Sequence, residues 1–287
     1  MIGSMIKQIA LMMLVTIITL SLFPDLSEAQ LKRERAVTTV LADPAFRATK
    51  NVGISTIINP SSGDLHYSIL HTFGLVEGGI DRFYGLDDGA NTRLGFIYGI
   101  TDRVSVGLGR MTFRKVVDIS TKVHLMRQTN DASRPLSIAV KGATGISTVS
   151  GQGLEFNERL SYFTSVMFAR KFNTVGIQLT PMYSYFNRVL GEDEQSLFGM
   201  GILLQVDLND RFAVSWEYLP VFGSRNPGTE DAMALSLDID TGGHVFQIFF
   251  ASSQWHNEQF IMANNRDRFW EGDFRFGFNI HRVFGLF

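Results

Sequence analysis

Between Asn91 and Leu108 the chain reads NTRLGFIYGITDRVSVGL, and this stretch narrows the fold more than any other. Leu94, Phe96, Tyr98 and Ile100 alternate with Arg93, Gly95, Ile97 and Gly99; after a Thr-Asp-Arg turn, Val104, Val106 and Leu108 alternate with Ser105 and Gly107. A period of two sends each set to one face of a strand. One face is apolar and aromatic, while the other is mostly glycine and serine with a single arginine. A soluble sheet packs its apolar face on a second layer and shows charge on the other. Here the second face is too small and too uncharged for that. It fits the lumen side of a barrel whose apolar side meets lipid.

The pattern recurs along the chain. Strands are predicted at Leu65–Phe73, Thr92–Ile100, Val104–Met111, Val116–Met126, Leu136–Ala143 and Leu160–Ala169. They continue at Val175–Tyr185, Leu197–Leu208, Phe212–Val221, Met233–Ile239, His244–Ala251 and Phe274–Phe284. Most are near the roughly 9–11 residues that a tilted strand needs to cross a bilayer. Connection lengths alternate. TDR, RKFNT, NDR and DTGG are terse, whereas GLVEGGIDRFYGLDDGAN, TGISTVSGQGLEFNER and SSQWHNEQFIMANNRDRFWEGD are long. Bacterial outer-membrane barrels have short periplasmic turns and long external loops. The expectation is therefore an all-β, antiparallel up-and-down transmembrane barrel of about twelve strands, with both termini in the periplasm. TFRK, short where a long loop is due, is the exception.

Composition agrees and excludes other classes. The 287 residues include 24 Phe and 27 Gly but only 7 Pro, which favours strands over helix or disorder. A formal charge of −2 leaves no footprint for nucleic acid. There is no cysteine, so disulfides and thiolate metal ligands are excluded. Lys7, the apolar run Ile9 to Phe23 and the small-residue site Ser27-Glu28-Ala29 predict a cleaved signal peptide over residues 1–29. Residues 30–60 lack periodicity and are read as a periplasmic segment that folds against or into the barrel mouth, with the barrel over residues 61–287.

At the C-terminus, Phe274, Phe276, Phe278 and Ile280 alternate with Arg275, Gly277 and Asn279, and the chain ends on Phe287. A terminal strand closing on an aromatic residue suits recognition by the barrel-assembly machinery. Phe284 and Phe287 differ in parity, so either a bulge lies near Arg282 or the strand stops at Phe284.

Five motifs together carry a family resemblance: HTFG (His71–Gly74), the block from Phe83 to Arg110, HLMRQ (His124–Gln128), GGHVFQIFF (Gly242–Phe250) and GDFRFGFNIHRVF (Gly272–Phe284). On these the chain resembles the outer-membrane β-barrels grouped as domain of unknown function DUF5777. The resemblance runs from about Ala48 to the C-terminus. It implies a barrel in the outer membrane of Bacteroidota-type bacteria and brings no catalytic residues and no cofactor.

By parity the lumen-lining candidates are Arg93, Asp118, Lys122, Lys141, Glu217, Asp238, Arg275 and His281. With both signs present, they are read either as a network filling the lumen or as a mixed-charge constriction. A selective ring would need one sign to dominate. Asp87 and Asp88 in GLDDGAN offer oxygen ligands for calcium, or ordinary turn caps. The histidines are scattered over different strands and no Gly-x-Ser-x-Gly elbow is present, which argues against a hydrolase. Tyr67, Tyr98, Tyr162, Tyr183, Tyr185, Trp216 and Tyr218 mostly carry outward parity, as an aromatic girdle against outer-membrane lipid requires.

The leading functional expectation is a porin-like passive pore for small solutes. The alternative is a closed barrel acting as a binding or structural module through loops Gly74–Asn91 and Ser252–Asp273, with Trp255, Phe260 and Trp270 as contacts, and the third reading is an outer-membrane hydrolase.

Overall fold

The computed structural model describes residues 40–286 with the exception of residue 152. The signal peptide expected at residues 1–29, the start of the following segment and Phe287 lie outside the described residues. Alternation of period two is realised in strands β1 (Asp64–Leu75), β2 (Asn91–Gly99), β3 (Val104–Met111), β4 (Val116–Met126), β5 (Ser137–Ser147), β6 (Leu160–Phe172) and β7 (Val175–Phe186). It continues in β8 (Ser196–Asp207), β9 (Phe212–Leu219), β10 (Val221–Phe222), β11 (Ala232–Asp240), β12 (His244–Ala251) and β13 (Arg275–Gly285). The two-residue β10 continues β9 past Pro220, whose missing N–H interrupts the ladder, so the wall has twelve staves. Neighbours in sequence pair antiparallel, and β1 pairs with β13 to close the sheet on itself. Closure leaves no unpaired edge, as a strand-built membrane span requires.

Three predicted strands, Val104–Met111, Val116–Met126 and His244–Ala251, coincide with observed ones, and the other boundaries move by a few residues. No bulge lies near Arg282: the β1–β13 register runs unbroken from Gly285 to Gly277. The short TFRK connection is a tight 3-10 turn in which Arg114 and Lys115 both adopt positive φ.

The outer face carries the aromatic and aliphatic set, including Phe96, Leu108, Ile119, Phe198, Ile248 and Phe250, all exposed. Such a belt is at home only in lipid. Phe96 lies mid-strand on this face, and Phe96→Arg should lower stability by about 2–4 kcal/mol. An unchanged urea midpoint in lipid vesicles would place Phe96 away from the membrane.

The inner face explains the glycines of the opening hairpin. Arg93 lays its guanidinium across the wall, so a Cβ at Gly95 would sit 2.6 Å from its Nη1, and one at Gly109 would collide with its Nη2. From the hairpin alone Gly95→Ser reads as a mild change. In the structure the added side chain would require the Arg93 guanidinium, paired with Asp118 at 2.6 Å, and the Ser68 hydroxyl to shift.

Candidate functional site

The lumen is occupied by two inserts. The first is built from residues 42–60 and enters at the end of the barrel that carries the short turns. Its base is held by Arg47, whose guanidinium donates to Asp207 Oδ1 (3.1 Å) and to the backbone oxygens of Asn209 (2.7 Å) and Asp210 (2.8 Å) in the β8–β9 turn. The chain then climbs and reverses. Asn51 N donates to Ile54 O (2.9 Å) and Thr56 N to Thr49 O (3.1 Å), which makes a hairpin with Val52 and Gly53 at its tip. It returns to the same mouth and runs directly into β1. Phe46 and Ile57 pack on Met167 and Leu203 of the wall, and Ile54 packs on Met182 and Leu219. Releasing an apolar side chain of this size into water costs about 1.5–3 kcal/mol.

The second insert is the long connection after β12. It folds back into the barrel from the opposite mouth, around a short helix α1 (Glu258–Asn264). Sequence reasoning read this connection as an external loop and missed the helix. Trp255 and Phe260 are not external contacts: Trp255 is 7% exposed, stacked on Phe260 and edge-on to Phe113 inside the barrel. Trp270 does point outward, at 80% exposed. The overlooked signal was the run FIM (Phe260–Met262), too apolar for an external loop in water.

The inserts meet in the middle. A Cβ on Gly53 would lie 2.7 Å from Ile261 Cδ1, so the hairpin tip and α1 are in close contact there. Ser55 N donates to Glu258 Oε1 (2.9 Å), joining the two inserts directly.

All eight lumen-lining candidates point inward, and five bond directly to an insert. Lys122 donates to Thr56 O (2.9 Å) and Ile58 O. Lys141 donates to Ser55 Oγ (2.7 Å) and Glu258 Oε1 (3.0 Å). Glu217 accepts from the backbone N–H groups of Gly53 and Ile54 and from Asn51 Nδ2 (3.1 Å). Asp118 accepts from Asn257 Nδ2 (3.0 Å) as well as from Arg93 Nη2 (2.6 Å). Arg275 donates to Asp267 Oδ2 (2.7 Å) and Ser252 O. The structure thus brings Arg93, Asp118, Lys122 and Lys141 around one cavity, while Arg275 stands apart at the long-loop mouth.

Asp238 and His281 belong to a second network, which reaches the hairpin through Gln247 and Asn51. Asp238 accepts from Gln205 Nε2 (2.6 Å), and Gln247 Nε2 donates to Asn51 Oδ1 (3.1 Å). Gln178 on β7, missed in the sequence, clamps the hairpin from both sides of its amide. It donates to Ser55 O (2.8 Å) and accepts from Ile57 N (2.7 Å). His66 Nδ1 lies 2.7 Å from Thr49 Oγ1, with His281 stacked on the imidazole at 5.3 Å. Both members of that pair are buried beneath the hairpin. Asp88 pairs with Arg82 at 3.4 Å, and among the described residues no cluster of His, Asp and Glu is placed to hold a metal ion.

Glu258 is the keystone of the closed arrangement. Burial works against its charge, but Lys141 and Lys50 outweigh that cost and hold the carboxyl well below the usual range. Next to it, burial pushes His256 down to about 3, against an opposing bond to Asn91 O. A base whose folded value lies below its free value of about 6.5 binds fewer protons when folded. The closed loop is therefore fully stable above about pH 6.5 and loses stability as pH falls toward 3. Glu258 adds the same sign only at more acidic pH. The emission of Trp255 should shift to the red between pH 6.5 and 4 in a Trp216→Phe/Trp270→Phe background. Constant emission across that range would show that loop closure is not proton-linked.

The description "membrane bound beta barrel domain" (DUF5777) matches residues 46–284. No curated protein sequence matches the chain. Among solved structures, an outer membrane channel from Pseudomonas putida F1 is similar at a TM-score of 0.50 and 10% identity, over 79% of this chain and 97% of that one. The NanC porin is similar at a TM-score of 0.49 and 11% identity, over 77% and 97%. At 10% identity the likeness to the Pseudomonas putida channel is one of fold.

Proposed function

The chain belongs to the DUF5777 family of membrane-bound β-barrels, and on that premise we propose that it works as a closed barrel of the outer membrane, a binding or structural module rather than a standing pore. The observation that supports this is the meeting of the two inserts at Gly53 and Ile261, with the wall's charges bonded to them. By the rule that short turns are periplasmic, the hairpin enters from the periplasm and α1 from outside. The external face then carries the mouth lined by Arg82, Asp88, Asn91 and Arg275, with a cavity of about 530 Å³. Beside it the 3-10 segment Val76–Asp88 exposes Ile80, Phe83 and Tyr84. An exposed apolar and charged patch of this kind suits a partner or ligand at the cell surface. The closing strand β13, with Phe276, Phe278 and Phe284 on its outer face, is the element offered to the assembly machinery.

Planar-bilayer recording of protein shown to be folded by heat-modifiable gel mobility tests the reading. No steady conductance is expected. Continuous open-channel current would overturn the closed-barrel reading in favour of a passive pore for small solutes. A gated pore is the second reading. It is favoured by the two inserts being separate pieces, each anchored at its own mouth, with a further cavity of about 340 Å³ at the short-turn end.

A further inference from the structure

Where the hairpin, α1 and strands β1 to β5 converge, they leave a cavity of about 50 Å³ lined by both polar and apolar side chains. That is room for a few waters or one small ion. Its charges do not balance. Lys50, Arg93, Lys122 and Lys141 line it, against two carboxylates, Asp118 and Glu258. Arg93 takes Asp118 at 2.6 Å, and Lys141 and Lys50 share Glu258 at 3.0 and 3.6 Å. Lys122 is bonded only to the carbonyls of Thr56 and Ile58 among its described partners, and is 6% exposed. Ser55 and Ser120 bring hydroxyls to the lining, whereas the Ser68 and Ser105 hydroxyls already donate to Gly95 O (3.5 Å) and Asn59 Oδ1 (3.0 Å). Gln259, also on the lining and 2% exposed, has an amide Nε2 with no acceptor. Burying cations in excess of anions is costly unless a counter-charge is buried with them.

We propose that this cavity is the binding site of a small monovalent anion of halide size, held between Lys122, the Ser55 and Ser120 hydroxyls and Gln259. The anion completes the charge balance at the seam where both inserts join the wall. It therefore binds only the closed barrel and stabilises it. Burial also pushes Lys50 down, with Lys141 and Arg93 adding to the fall and Glu258 opposing it. A bound anion would relieve that crowding.

Bromide is the probe. Crystals of the full chain grown or soaked in sodium bromide should give an anomalous peak inside the cavity. Peaks confined to the surface would overturn the proposal, leaving water as the filling. In detergent solution, bromide should raise the unfolding temperature saturably by a few degrees over sodium gluconate, whose anion is too large to enter. A rise that grows without saturation, or that gluconate matches at equal ionic strength, would be a general salt effect and would also overturn it. Ser120→Asp supplies a carboxylate from the wall. This variant should fold and lose both the peak and the bromide response; a retained response would place the anion elsewhere. Because neither readout depends on conductance, a failure here is distinct from a failure of the closed-barrel reading.

Discussion

A chain lacking residues 42–58 should conduct where the full chain is silent. The wall does not need the hairpin for its ladder, since every stave pairs with two others and β1 closes on β13. The side chains that the hairpin leaves behind, Lys122, Glu217 and Gln178, would face a water-filled lumen rather than a dry one. They regain hydration and are not stranded. What is lost is the packing of Phe46, Ile54 and Ile57, together with the seat on which α1 rests at Gly53. With that seat gone, α1 keeps its tethers but loses its contact with Ser55 and the hairpin tip. Steady single-channel steps in planar bilayers are the expected result, with heat-modifiable mobility confirming the barrel. Silence from a folded deletion variant would mean that α1 seals the lumen alone. A gentler version is Arg47→Glu, which reverses the clamp on Asp207 at the hairpin base and should give brief openings instead of steady ones.

Glu258→Ala should be the most destabilising single substitution in the lumen, at about 3–5 kcal/mol. Glu258 is 3% exposed and pairs with Lys141 at 3.0 Å and Lys50 at 3.6 Å. Removing it leaves two buried ammonium groups with only neutral acceptors, Ser55 Oγ and Gly53 O, in place of their shared counter-charge, which costs far more than the pair itself contributes. Glu258→Gln keeps the shape and part of the hydrogen bonding, so its loss should be smaller. The mechanism makes a sharper demand on a double variant. Adding Lys141→Met to Glu258→Ala removes one stranded charge and should recover part of the loss. Urea unfolding in detergent would measure these three and Lys141→Met alone, which completes the cycle. Strict additivity of the two substitutions would rule out the pairing as the source of the effect.

Sequence reading recovered the wall nearly whole because lipid on one side and a lumen on the other impose the same alternation on every strand. The breaks are instructive. Pro220 cuts the predicted Phe212–Val221 strand, since its nitrogen has nothing to donate. The inward parity of Arg93, Asp118, Lys122, Lys141, Glu217, Asp238, Arg275 and His281 was also legible. What those residues touch was not, because neither insert is periodic. The hairpin is a short loop whose backbone bonds go to side chains more than a hundred residues away, such as Glu217 and Gln178. The helix α1 has seven residues, too few to show an amphipathic stripe, and is buried on several sides by the barrel around it. The small inner face of β2 did hold a trace of this. Small side chains there read as space for solvent, yet a Cβ on Gly99 would collide with Ser61 O of the segment returning from the hairpin. The space had already been taken by main chain.

The hairpin returns straight into β1, with only residues 61–63 between its last buried stretch and the first stave. It is therefore held on a leash far shorter than the barrel. A plug so tethered sits at a very high effective concentration over its own seat, on the order of millimolar or above for a short linker. Once displaced, it re-seats as an intramolecular event, at a rate independent of how much protein is present. A free peptide copying residues 42–60 would have to exceed that concentration to compete, so opening can be transient but not permanent. The α1 insert is leashed at both ends, by β12 and β13, and returns for the same reason. Whatever displaces either insert must keep binding to hold the barrel open, and the barrel closes when it leaves.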